Sequence, residues 1–465
     1  MKVALIFPRL KEQVHGMWPP LGIITLGTIL RGRGHEVRCY DSSFDPGPER
    51  VIAEIERNRF DLVGLSCLTD AFPTAARIVA AAKAAGAVTV MGGPHPTIAA
   101  EETLRSVPGL DYAVRGEGEE SLPALLDCIG AGREPSAIPG LGFRRGDEIV
   151  LTGAPVPVAD LDSIPIPDRD LLDVHPQYLR ARAINLHASR GCPFRCRFCQ
   201  PTLDRLFGKK LRFQSPGRVA EEIEDNARRY GIRDYFFHDD TFTVSAKWME
   251  GVRQAFAEHK VLDGFRYVVN SRVDTFDENK ARLLKAMNVY YILFGIESGS
   301  QELLDSMDKG TTLAQAREAF RICKKFGLRT HAYVLLGSPA ETPATLAATE
   351  SLVEELKPNT VHISIFTPLL GTHFADELRA QNRIPGNDFY NLDYYLKHSS
   401  VAPVLIPGLE YKDLLDSRAR ILKRRKFRVM ADNARELVRD LARDRSLDKL
   451  FFRYQFYRRM QHYFG

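Results

Sequence analysis

Residues 189–201 read SRGCPFRCRFCQP and gather three of the chain's seven cysteines, Cys192, Cys196 and Cys199, into eight positions. The other four, Cys39, Cys67, Cys128 and Cys323, are scattered, so a disulfide framework is not indicated and a reducing compartment suits the cluster. Core cysteines sit among apolar residues, whereas these neighbour Arg195, Arg197 and Gln200. A zinc site needs a fourth ligand at knuckle-like spacing; none is evident, although His187 and His238 keep that alternative open. An all-thiolate set favours an iron-sulfur cluster, and three protein thiolates leave one of four irons open to a ligand that is not protein.

The cysteines follow the strand-like run AINLHASRG, which begins a series continued by DYFFHDDTF, FRYVVNSRVD, YYILFGIESGS, LRTHAYVLLGS and TVHISIFTPLLGT. Helical stretches such as LAQAREAFRICKKFG separate these runs. Six βα units over residues 181–385 predict an open, partial (β/α)6 barrel whose active residues sit at the strand C-terminal ends. Upstream, residues 1–140 alternate VALIFP, HEVRCYD, DLVGLSCL, AVTVMGG and DYAVRGEG with helical segments such as TAARIVAAAKAAG. That order predicts a doubly wound, Rossmann-like α/β domain with its ligand at the strand ends. Residues 141–180, rich in proline and aspartate, read as a linker, and residues 386–465 as a helical region dominated by aromatic and arginine residues.

The 465-residue chain is 44% hydrophobic and carries a net charge of +5, too little to call for a nucleic-acid partner. No apolar stretch reaches membrane-spanning length, and MKVALIFPRL lacks the core and cleavage site of a signal peptide, so the sequence reads as cytoplasmic. Two basic stretches near the C-terminus, SRARILKRRKFR with Arg424, Arg425 and Lys426, and FFRYQFYRRM, are candidates for covering the barrel mouth, for binding an acidic substrate or for peripheral contact with an anionic membrane. A solvated helix face is their plainer reading.

The spacing CxxxCxxC after the first strand of a partial barrel resembles the signature of radical S-adenosylmethionine (SAM) enzymes, and Phe198 before the last cysteine matches it too. The resemblance implies that the three thiolates hold a 4Fe-4S cluster whose open iron chelates the amino and carboxylate groups of SAM. It also implies reductive cleavage of SAM to a deoxyadenosyl radical inside a water-excluding barrel. Contacts to that cofactor are implied at successive strand ends: Asp239 and Asp240 in HDDTF for the methionine amino group, and Asn270 and Arg272 in NSRVD for its carboxylate or ribose. Glu297 and Ser298 in GIESGS would meet the ribose, with Leu336 and Gly337 in YVLLGSPAET beside adenine. Plainer readings are a helix cap near Ser245 for the aspartates, surface arginines for Arg195 and Arg197, and a strand-helix turn for Gly295 and Gly299.

A doubly wound domain ahead of such a barrel is similar to the cobalamin-binding branch of that family, through PPLGIITLGTILRGRGHEV, GGPHPT and RGEGEESLPALL in that order. The resemblance implies bound cobalamin, its tail lined by Ser66, Thr69, Gly92, Gly93, His95, Gly116 and Glu117. In FPRLKEQVHGMWPP, His15 lacks the Asp-x-His-x-x-Gly spacing, so it reads as a loop histidine and ligation of cobalt by histidine is not expected. A domain that binds nothing and serves as a lid is the alternative.

For the reaction, the resemblance implies methylation of an unreactive carbon or phosphorus centre of a small-molecule, lipid or tetrapyrrole substrate. An external low-potential electron donor of flavodoxin or ferredoxin type would supply the electron for cleavage of SAM. The same scaffold also supports radical cyclisation or rearrangement without methyl transfer, and a non-catalytic metal-binding scaffold is a third reading. Tyr267 and Tyr333 are candidates for handling a proton, with core packing the plainer reading of each.

Overall fold

The computed structural model describes residues 1–9, 18–180, 182–387 and 401–444, with side chains of the final helix described at 411–425, 434, 435 and 438. His15, the side chain of Lys426 and the stretch FFRYQFYRRM lie outside these residues.

Strands β1 (Lys2–Phe7), β2 (Glu36–Asp41), β3 (Leu62–Ser66), β4 (Val88–Gly92) and β5 (Tyr112–Val114) pair in parallel in the order β2-β1-β3-β4-β5. Their apolar runs feed two layers by the alternation of a pleated strand. Ala4, Ile6, Val63 and Leu65 pack against the helices Glu49–Asn58, Phe72–Ala84 and Pro94–Ser106 on one face. Val3, Leu5, Leu62 and Val90 meet the helices Leu21–Gly32 and Ser121–Gly130 on the other. The doubly wound domain expected from the sequence is therefore present.

Two more strands, β6 (Leu141–Arg145) and β7 (Glu148–Leu151), turn at Gly146, φ +60°, and extend this sheet antiparallel beyond β5. They occupy the start of the segment read as a linker, because Leu141 and Phe143 bury their side chains at the β5 edge. Residues 152–180 are likewise anchored to both flanking domains. Arg169, fully buried, donates from Nε to Asn226 Oδ1 (3.0 Å) and from Nη2 to Asn185 O (2.7 Å). Asp168 pairs with Arg31 of the first domain and Arg229 of the second.

In the second domain, β8 (Ala183–Leu186) leads into a short antiparallel pair, β9 (Ser189–Arg190) and β10 (Arg212–Phe213), which brackets the cysteine loop. Strands β11 (Asp234–Phe237), β12 (Arg266–Ser271), β13 (Val289–Glu297), β14 (Arg329–Leu336) and β15 (Thr360–Ile365) complete an open parallel sheet in the order β15-β14-β13-β12-β11-β8. The six-unit partial barrel holds. Tyr235, Phe237, Tyr267 and Ile292 face the helical layer. Phe236, Val268, Tyr291 and Leu293 face inward, where Trp18 of the first domain joins them, its ring 5.4 Å from that of Phe236. Tyr267 belongs to the outer core and donates to Val261 O (2.5 Å), whereas Tyr333 sits half-buried on the inner face.

The C-terminal helix Tyr411–Asp444 packs on the helix Pro343–Leu356. Buried Glu350 accepts from Ser417 Oγ (2.8 Å) and Arg420 Nη2 (2.7 Å), and Arg424 Nη1 lies 3.6 Å from it. Arg425 is buried. Within this basic stretch Arg420 and Arg424 lie against Glu350 and Arg425 is buried, while Lys423 and Arg424 are exposed. Among the described residues no helix is long and apolar enough to cross a membrane.

Candidate cofactor site between the two domains

The cysteine loop leaves β9 with Cys196 buried and Cys192 and Cys199 partly exposed. Burial pushes the Cys192 thiol up to about 11 and raises Cys199 further, so binding of a metal must displace protons from this loop. The loop's root is clamped by Asp239, which accepts from Ala188 N (3.2 Å) and from the Ser189 hydroxyl. Desolvation pushes that carboxyl up to about 7. No group of three or more His, Cys, Asp or Glu side chains among the described residues converges on a single ion. A cube of iron and sulfide asks instead for thiols at separate corners, and this loop's three soft donors fit that demand.

Two buried cations stand against these thiols. Arg272 donates from Nη1 to Cys196 Sγ at 3.5 Å, from Nε and Nη2 to Asp274 (3.0 and 2.9 Å), and from Nη2 to Lys309 O (2.6 Å). Its guanidinium lies 3.6 Å from the centre of the Phe194 ring. Lys309 donates to Glu297 Oε1 at 2.7 Å, and its ammonium is 5.6 Å from the Phe198 ring. Each cation is balanced by its own carboxylate, so these four groups add no net charge beside the cluster. Arg197 pairs with Glu377 (2.5 Å) and stacks on Phe374, while Arg195 is exposed.

The residues expected to contact SAM divide by what they touch. Asn270 donates to Asp239 O (3.1 Å), and Asp239 is occupied by the loop it clamps. The helix cap at this strand end is Ser245 itself, which accepts from Trp248 N (3.2 Å). Glu297 holds a left-handed backbone, φ +55°, and a Cβ on Gly295 would come within 2.4 Å of its Oε1, so Gly295 makes room for the Glu297–Lys309 pair. Ser298 is buried and meets Thr349 Oγ1 at 3.2 Å, a turn contact. Leu336 is buried in the core, and a Cβ on Gly337, φ +87°, would come within 2.8 Å of Leu414 from the C-terminal helix. Arg272 therefore faces a cysteine, and Ser298 and Asp239 serve the frame. Asp240 alone of this set borders a cavity among those between the domains.

That cavity, about 330 Å³, is shared by the two domains. Ser66, Gly92, Gly93, Gly116 and Glu117 line it from the first, and His187, Gly191, His238 and Asp240 from the second. An adjoining cavity of about 580 Å³ is bordered by Trp18, Ser66, Thr69, Asn185, Thr202, His187 and His238. Enclosure pushes the Asp240 carboxyl up to about 6 and holds His187 down at about 4. Asn185 Oδ1, Thr202 Oγ1 and His238 Nε2 are buried there without a hydrogen-bond partner among the described residues. Gly22 borders both cavities, and a Cβ on it would meet no atom within 4 Å. A smooth wall with orphaned donors and acceptors fits a large ligand decorated with amides, as cobalamin is.

Two expected cobalamin contacts are placed differently. His95 is fully buried against Phe72, ring centres 4.3 Å apart, and meets Thr69 Oγ1 at 3.3 Å, so it belongs to the core and not to the cavity wall. Glu117 borders the cavity, but its carboxylate is bound by Arg212 (2.6 Å), Arg190 (3.3 Å) and Val158 N (2.6 Å) and ties the two domains together. Trp18, Asn185, His187, Thr202 and Lys309 are the site residues that sequence reasoning missed as contacts. His187 ends a strand just before the cysteines, which is a usable signal; the others are brought in only by the fold.

The comparisons agree with this geometry. The B12 binding domain model matches residues 10–126, and the Radical SAM superfamily model matches residues 186–353. An uncharacterized methyltransferase of Pyrococcus horikoshii is 34% identical over 82% of this chain and 84% of its own length. An anaerobic magnesium-protoporphyrin IX monomethyl ester cyclase of Cereibacter sphaeroides is 28% identical over 90% of this chain and 69% of its own. The structure of TsrM, a radical SAM methyltransferase from Kitasatospora setae with cobalamin and a 4Fe-4S cluster bound, matches in fold with a TM-score of 0.69 at 23% identity, covering 82% of this chain and 75% of that one. The chain belongs to the radical SAM enzymes that carry a B12-binding domain, and its cofactors are a 4Fe-4S cluster, SAM and cobalamin.

Proposed function

We propose that this enzyme transfers a methyl group to an unactivated carbon or phosphorus centre of a small molecule with an apolar or planar framework, such as a lipid or a tetrapyrrole. The observation that carries the reading is the cavity walled by both domains, where the strand ends around Gly92 and Gly116 confront His187 and Asp240 at the barrel mouth. When bound, the cluster and SAM supply reductive carbon-sulfur cleavage and cobalamin supplies a methyl carrier. Cys192, Cys196 and Cys199 would hold the cluster, and Asp240, at the cavity wall, would offer SAM a polar contact, with the Glu297–Lys309 pair beside the cysteine loop. Asn185, Thr202 and His238 would hydrogen-bond cobalamin's amides. Trp18, Phe236, Tyr291 and Tyr333 form an aromatic inner wall that excludes water and suits an apolar substrate.

The test is anaerobic reconstitution with iron, sulfide and hydroxocobalamin, followed by SAM and a reductant. Release of S-adenosylhomocysteine together with deoxyadenosine is the expected outcome. Deoxyadenosine alone would point to cyclisation or rearrangement, the reading that the similarity to a cyclase favours.

A further inference from the structure

The electron that reduces the cluster has to enter from outside the barrel, and the cysteine loop shows where. Cys192 and Cys199 are partly exposed, and Gly191, Leu206 and Phe207 beside them border the cavity shared by the two domains. The segment 205–210 runs beside this edge: β9 pairs with β10, and a Cβ on Gly191, which precedes Cys192, would come within 3.1 Å of Lys210 O and 3.6 Å of Gly208 O. Four cations, Arg195, Arg205, Lys209 and Lys210, are exposed on this edge. Each lacks an ion-pair partner among the described residues, in a chain whose other arginines so often carry one. Between Gln200 and Phe213 the single acidic residue is Asp204, and Arg212 is spent on Glu117.

A run of charge is usually no more than a solvated face. Here it stands on the loop that carries two partly exposed thiols of a redox centre, and its field is left uncompensated where a partner would approach. We propose that Arg195, Arg205, Lys209 and Lys210 form the docking surface for a small acidic electron-carrier protein, which passes one electron to the cluster edge at Cys192 and Cys199. The donor's flavin hydroquinone becomes a semiquinone as the cluster gains that electron, and no bond is made or broken. This inference rests on the cluster assignment above.

The experiment uses the full chain with reconstituted cluster and an anionic flavodoxin in its hydroquinone form, following bleaching of the cluster by stopped flow. Lys209→Glu combined with Lys210→Glu, and separately Arg205→Ala, should slow bimolecular reduction by about tenfold or more, since electrostatic steering spans one to three decades of on-rate. Raising salt should slow the wild type and leave the double variant nearly unchanged. Reduction by titanium(III) citrate should proceed alike in all forms, which shows that the variants are folded and loaded. Equal rates with flavodoxin in wild type and variants, or a wild-type cluster that accepts electrons from titanium but none from flavodoxin, would overturn the docking surface. A wild-type chain that takes up no cluster would overturn the assignment beneath it as well.

Discussion

Lys309 Nζ lies 2.7 Å from Glu297 Oε1, both groups buried beside the cysteine loop. Removing one partner of such a pair leaves an uncompensated charge, with a typical penalty of about 3–5 kcal/mol. Lys309→Met should therefore lower the melting temperature sharply, and adding Glu297→Gln should recover a large part of the loss. A melt of the double variant no better than the single would show that the pair is not the source.

Glu117 accounts for the junction between domains in the same way. Its carboxylate is shared by Arg190 and Arg212, the first two residues before Cys192. Glu117→Ala should destabilise the chain by a similar amount and expose the 152–180 segment to limited proteolysis, while Glu119→Ala, which removes a partner at the more accessible end of Arg190, should do less.

Cys192→Ala, Cys196→Ala and Cys199→Ala should each reduce bound iron after reconstitution and abolish deoxyadenosine formation, since each thiolate would hold a separate corner. Full iron content in any of them would contradict the assignment.

Asp239 carries a pH signature. Its folded-state value is raised to about 7 from 3.8, so the native form binds the proton that the unfolded chain has already released. This group's penalty is absent below about pH 4 and fully present above about pH 7, and stability falls across that window. Asp239→Asn should flatten the dependence of melting temperature on pH between those limits; an unchanged slope would place the titration elsewhere.

Gly93 has φ +93°, and a Cβ there would come within 2.9 Å of Cys67 N, a backbone atom that cannot swing aside. Gly93→Ala should weaken retention of hydroxocobalamin, measured by equilibrium dialysis, by about tenfold if the strain of roughly 1–3 kcal/mol falls on the loaded form.

Both sheets could be read from sequence because their runs are continuously apolar and buried on both faces, as in LVGLS of β3 and YYILFGIE of β13. The β6–β7 hairpin is faint in the sequence although Gly146 and Asp147 sit at its turn, since the alternation of Leu141 and Phe143 is short and a proline-rich stretch follows directly. His95 and Glu117 stand at the expected strand ends, His95 packed on Phe72 and Glu117 bordering the cavity with its carboxylate on Arg190 and Arg212. Whether a strand-end side chain turns into the cavity or into the core depends on Phe72, Arg190 and Arg212, and two of those lie more than seventy residues away. Lys309 carries no local signal, because its partner is fixed only when the loop after β13 folds back under Phe198.

Trp18 has a consequence for how the enzyme can be divided. The indole belongs by sequence to the amino-terminal half yet finishes the greasy lining of the carboxyl-terminal one, tilted against Phe236 and edge-on to His238. A barrel expressed by itself would open that lining to solvent and tend to clump, so the halves are not interchangeable modules, and any graft of a foreign corrinoid domain would have to bring its own stopper.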